Sequence, residues 1–125
     1  MKLTASLLTP ALALFSILAL PTPVKAVEGA NDKELFERRC SGCHALDKNK
    51  EGPRLGGVYG RASGTVPDFE YSAALKTAHI TWDAATLDQW LTDPEKLVPN
   101  NDMAFRVVQA GERAAIIGYL KSLTL

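Results

Sequence analysis

Three features of this sequence predict an all-α fold of short helices and loops. Apolar residues recur at helical spacing toward both ends of the polar part, in Leu35, Phe36 and Cys40 and in Ile116, Tyr119, Leu120 and Leu123. No convincing run alternates apolar and polar residues with period two. Between those ends, residues 45–71 carry Gly52-Pro53, Gly56-Gly57, Gly60, Gly64 and Pro67, punctuation that prevents long regular structure. A loop that long in a small domain needs something to wrap around. The 125 residues make one domain, and 46% hydrophobic with 22% charged residues fits a folded chain. Lys plus Arg equals Asp plus Glu at 14 each, so no basic field marks a nucleic-acid binder. Two cysteines exclude a multi-disulfide scaffold.

The chain opens with Lys2, an apolar run from Leu3 to Leu20, and Pro21-Thr22-Pro23-Val24-Lys25-Ala26. A basic start, an apolar middle and small residues at Val24 and Ala26 read as a secretory signal peptide. An uncleaved membrane anchor is the alternative, since the run is nearly long enough to span. Pro10 and the interspersed hydroxyls favour removal. The expected division is therefore a signal peptide over 1–26 and one domain over 27–125. The removed part holds Lys2 and Lys25 and no acid, which leaves 12 basic against 14 acidic side chains. The expected location is the periplasm, where two thiols would oxidise unless something consumed them.

Asn31-Asp32-Lys33-Glu34 is a capping-box signal, so a first helix is expected from Asn31 to the cysteines. Ser72 to Ala78 suits a short helix. Thr81 is the expected cap of a helix with Leu87, Trp90 and Leu91 on one face and Pro94 past its end. Asp93-Pro94-Glu95 restarts a single turn, with Pro94 at its first position. Val98 to Asp102 is a stiff turn. A last amphipathic helix is expected over Glu112 to Leu123.

The chemistry sits in Cys40-Ser41-Gly42-Cys43-His44. This is C-x-x-C-H, the attachment signature of c-type haem. Two thiols three residues apart at a helix end reach both vinyl groups of one porphyrin edge, and the next imidazole falls under the iron. Ser41 and Gly42 are small enough to leave room for the ring. A zinc site would need more ligands than the remaining His79 offers. A thioredoxin-like pair needs a βαβ context, which is absent. A short-range disulfide explains neither the adjacent His nor the small exported core. Iron with one His is open to substrate, whereas a second ligand makes an electron carrier. Once Met1 leaves, Met103 is the sole thioether, and it follows the stiff turn. Core filler is the competing reading of that Met, and His79 is its rival as a sixth ligand.

With these residues the chain resembles the class I cytochromes c, shared by mitochondria and related bacteria. The resemblance covers about residues 31–125. It is carried by Gly52-Pro53-x-Leu55, Gly57-x-Tyr59-Gly60-Arg61, Phe69-x-Tyr71-Ser72, Ile80-Thr81-Trp82, Leu91-x-Asp93-Pro94 and Pro99-x-Asn101-x-Met103-x-Phe105. It implies a small cytochrome c fold around one haem c, with Cys40 and Cys43 forming thioethers and His44 and Met103 as axial ligands. It further implies that the Pro53 carbonyl accepts from His44, and that Phe36 meets Tyr119 where the first and last helices cross. Buried propionates need charge-assisted donors, and Arg61, Tyr71 and the Trp82 indole are the natural set. Ser72, Trp90, Asn101 and Phe105 complete the expected cofactor surroundings.

Four departures from the mitochondrial pattern stand out. The stretch from His44 to Gly52 is shorter. Asp32 replaces a helix-crossing glycine, with Gly118 as the candidate compensation. Leu75 replaces a buried Asn. Trp90 stands where a Tyr hydroxyl often reaches the Met sulfur, and its larger ring is expected to lose or redirect that bond. The implied function is one-electron transfer by a soluble monomer rather than enzyme catalysis. Its partners would be transient: a membrane oxidoreductase, a terminal oxidase or an exported dehydrogenase of a respiratory chain. A haem peroxidase or gas sensor with a displaced Met103 is the alternative, and a haem-free thiol protein a third. The expected docking face is weakly charged, with Glu95 and Asp102 set against Lys96 and Arg39, and Val108 as an apolar contact.

Overall fold

The computed structural model describes residues 28–124, with side chains from residue 31 onward. The expected signal peptide over 1–26 lies outside the described residues. Five helices follow in chain order: α1 (Glu28–Cys40), α2 (Ala73–Lys76), α3 (Ala84–Thr92), α4 (Pro94–Leu97) and α5 (Ala110–Ser122). Among the described residues the sole β-type pairing is an isolated bridge between Ala62 and Thr81. None of these helices is long and apolar enough to cross a membrane.

The helix starts differ from expectation in three places. Helix α1 begins at Glu28, so Asn31 lies inside it and the expected capping box does not mark its start. Helix α3 is capped by Asp83, not Thr81. Asp83 Oδ1 accepts from the Thr86 N–H at 2.9 Å, and Thr86 Oγ1 accepts from the Asp83 N–H at 2.9 Å. Thr81 is occupied instead by its bridge to Ala62. Helix α5 starts at Ala110, and Leu123 falls past its end, 36% exposed, while Ile117 joins Ile116 and Leu120 in the core. The short elements match expectation. Ser72 Oγ caps α2 by accepting from Leu75 N–H at 3.2 Å, and Asp93 Oδ1 caps α4 by accepting from Lys96 N–H at 3.3 Å.

Helices α1 and α5 pack together, and the Phe36 and Tyr119 rings meet there with centroids 5.2 Å apart. Ile116 is fully buried and Phe36 nearly so. Gly118 does not compensate for Asp32. It is exposed, and an added Cβ would meet nothing within 4 Å. Helix α3 packs on α4 and α5 and adds Leu87, Trp90 and Leu91 to the same core.

Arg113 ties α5 to α3 and to the segment after Met103. Its Nε donates to Asp88 Oδ1 at 2.7 Å, and its Nη1 donates to the carbonyls of Val107 and Val108 at 3.0 and 2.9 Å. The Val107 N–H reaches the Leu91 carbonyl at 2.7 Å. The long middle loop is stitched by backbone bonds. Leu55 N–H donates to Ala45, Gly56 to Leu46, Gly60 to Trp82 and Trp82 to Arg61, all at 2.6–2.9 Å.

Candidate haem-binding site

The end of α1 tightens into a turn that carries the motif. Both the Cys43 and His44 N–H groups donate to the Cys40 carbonyl, at 3.2 and 2.9 Å. Cys40 is half-buried, Cys43 is exposed, and no disulfide joins them. Burial pushes the Cys40 thiol up to about 11, against the pull of nearby Arg39.

His44 is half-buried with Nδ1 2.8 Å from the Pro53 carbonyl oxygen. That carbonyl accepts only, so Nδ1 carries the proton and donates, leaving the Nε2 lone pair free. Burial holds the imidazole below its ordinary value, outweighing the opposite effect of the Pro53 carbonyl. The neutral ring is the form that ligates a metal. Gly52 makes this placement possible. A Cβ there would lie 2.6 Å from Nδ1 and 2.7 Å from Nε2, inside the ring's contact distance. Sequence reasoning treated Gly52 as punctuation and as part of a family run. The missed signal was its position just before the Pro that supplies the carbonyl.

Met103 is half-buried against the core. Its N–H donates to Asn101 Oδ1 at 2.7 Å, and Asn101 Nδ2 donates to the Val98 carbonyl at 2.9 Å. The Trp90 Nε1–H donates to Met103 Sδ at 3.2 Å. This corrects the expectation that the larger indole loses or redirects the bond. Trp90 sits on α3 with its ring tilted 59° against that of Trp82, centroids 5.3 Å apart. The rival ligand His79 is exposed on a left-handed backbone at φ 53°.

Two of the expected propionate donors lie near each other, and the third is linked to them through backbone. Arg61 and Trp82 are joined through backbone, and Tyr71 lies close enough to Arg61 to act on its charge. The Arg61 guanidinium is partly engaged already, by the carbonyls of Arg54 at 2.9 Å and Gly56 at 3.2 Å. Tyr71 is buried, its hydroxyl oxygen accepts from Val66 N–H at 3.2 Å, and its ring meets Phe69 edge-on. That leaves its O–H proton to donate. Ser72 uses its oxygen as the α2 cap and likewise keeps its proton. Phe105 stands 42% exposed beyond Met103.

These residues fit haem c. Two unpaired thiols, one imidazole with a free Nε2 and one thioether held from behind are the donors that such a group requires. The cradle at Gly52 has room for the His44 ring and for no Cβ.

Known proteins share the sequence and fold that carry these residues. The family model described as Cytochrome c matches residues 30–124. Cytochrome c of Euglena viridis is 48% identical over 94 residues, covering 73% of this chain and 92% of that protein. Cytochrome c of Chlamydomonas reinhardtii is 42% identical over 99 residues, covering 76% of this chain and 88% of that protein. The solved structure of cytochrome cH from Methylobacterium extorquens superposes with a TM-score of 0.71 at 40% identity, covering 75% of this chain and 97% of that one. A family model spanning nearly all the described residues, joined to a solved structure of the same fold, places this chain in the cytochrome c family.

Proposed function

We propose that this chain is a one-electron carrier holding one haem c, attached through Cys40 and Cys43 and ligated by His44 and Met103. The observation that supports it most is that both candidate ligands are held from behind: His44 by the Pro53 carbonyl and Met103 by the Trp90 indole. Each bond leaves a lone pair on the ligating atom. When bound, the haem supplies an iron that exchanges single electrons, and a soft Met ligand favours a positive potential. Arg61, Tyr71 and Trp82 would hold the propionates. Leu75, Leu55 and Val58 help exclude water. The reading places the protein in the periplasm as a monomer that meets larger redox proteins briefly.

The surface supports weakly charged docking. Arg39, expected to be a free positive charge, is neutralised by Glu112 at 2.7 Å. Arg106 pairs with Asp93 at 2.9 Å. Val108, at 84% exposure, offers the apolar contact. Electron transfer to the natural partner should therefore slow only slightly as salt shortens the Debye length from about 30 Å to about 8 Å.

The test of the cofactor uses protein made with a haem maturation system. The haem should remain on the denatured chain through extraction in acidified organic solvent. The double variant Cys40→Ser, Cys43→Ser should yield no covalent haem. Haem extracted freely from the unsubstituted protein would refute the reading.

A further inference from the structure

We propose that Glu95 is a positioning residue for the sixth ligand: its carboxylate clamps Asn100 and Asn101 and, through Asn101, steadies Met103. This rests on the reading of Met103 as an iron ligand.

Glu95 stands on α4, a rigid base because Pro94 is fully buried and Asp93 caps the turn. Both of its oxygens face the loop that carries Met103. Oε1 accepts from the Asn100 backbone N–H at 3.0 Å, and Oε2 accepts from Asn101 Nδ2 at 3.4 Å. Asn100 is left-handed at φ 65°, a conformation that asparagine adopts more readily than other non-glycine residues, and the Glu95 carboxylate fixes its backbone N–H in that turn. Asn101 passes the restraint on, because its Oδ1 accepts from the Met103 N–H at 2.7 Å. The shorter bond to the carbonyl of Val98, the C-cap of α4, holds the same amide from the end of that helix, and Glu95 adds a second tie from its first turn.

Without that tie, the Asn100 N–H turns to water and the Asn101 amide is held by the Val98 carbonyl alone. More molecules then have Met103 off the iron, and an added ligand binds that fraction with correspondingly higher apparent affinity. The carboxylate is exposed, so the expected effect is that of a charged hydrogen bond weakened by solvent.

The experiment titrates oxidised holoprotein with imidazole and follows the loss of the Met-to-iron(III) absorption band. Glu95→Ala should bind imidazole about tenfold more tightly than wild type. Glu95→Gln keeps an oxygen for the Asn100 N–H and should stay within about threefold. Asp102→Asn removes an equal charge from the same loop without touching the clamp, and should leave affinity close to wild type. Glu95→Ala should also lower Tm by several degrees, because the lost clamp belongs to the folded state alone, whereas Asp102→Asn should leave Tm near wild type. An unshifted Glu95→Ala, or Asp102→Asn and Glu95→Gln both matching it, would overturn the clamp. Those failures occur with a wild type that shows the Met–iron band. A wild type lacking the band would sink the ligand reading and this proposal with it.

Discussion

The two sides of the site are held by different kinds of force. On the His44 side the restraints are backbone. The Pro53 carbonyl takes the imidazole N–H, Gly52 yields its Cβ space to the ring, and Gly52 N–H is bonded to the Cys43 carbonyl at 2.8 Å. On the Met103 side the restraints are side chains: Trp90 on the sulfur, Asn101 on the backbone N–H and Glu95 behind Asn101. A backbone restraint either fits or fails, because nothing can swing aside. Side-chain bonds loosen by degrees. The His44 side should therefore be the fixed one and the Met103 side the adjustable one.

The largest expected effect comes from filling the glycine cradle. Gly52→Ala puts a methyl group into the His44 ring and forces the imidazole off the Pro53 carbonyl. We expect a loss of about 2–3 kcal/mol, or roughly 10–20 °C in holoprotein Tm at this size. A Tm within a degree or two of wild type would break the comparison.

Trp90→Phe is next, and its main effect is on tuning. Losing the N–H to sulfur strengthens sulfur donation to iron and should lower the potential by tens of millivolts, equivalent to about 1 kcal/mol. An unchanged potential would mean that the bond is absent in the holoprotein. A smaller effect of opposite sign is expected far from both ligands. Gly118→Ala lies in mid-helix with nothing within 4 Å of an added Cβ, so stability should rise by about 0.5–1 kcal/mol. A loss there would reveal a tight helix crossing and weaken the contrast with Gly52.

The smallest effect is pH-dependent and acts on the helix that carries Trp90. The Thr86 backbone N–H, and then its hydroxyl, hold the Asp83 carboxyl below its ordinary value of 3.8. A depressed folded-state value stabilises above the ordinary one and is lost as pH falls through the folded one. Asp83→Ala should therefore lower Tm at neutral pH, and the difference from wild type should close below about pH 4. A constant difference across that range would show that the cap acts without its charge.

The all-α class and the short middle helices were legible in the sequence, because burial periodicity and proline positions encode them locally, and the meeting of Phe36 with Tyr119 was legible through the family pattern. So was the His44–Pro53 bond. Helix starts were less legible. Asp83 and Thr81 are both good caps, and the choice was made by the distant partner Ala62. The Trp90 bond was misjudged because side-chain size says little about direction, which depends on how α3 sits against the Met103 loop. Gly52 was hidden because its neighbour in space, His44, is eight positions away in sequence. Glu95 was read as a surface charge, since its partners become visible only when α4 and the Met103 loop are placed together.

The most direct test of the account is carbon monoxide binding to the reduced holoprotein, wild type against Met103→Ala. The account predicts that both keep their haem on the chain, that wild type resists carbon monoxide, and that the variant binds it readily. The account would be contradicted if the two proteins had the same spectrum and took up carbon monoxide equally, because Met103 would then not be the sixth ligand.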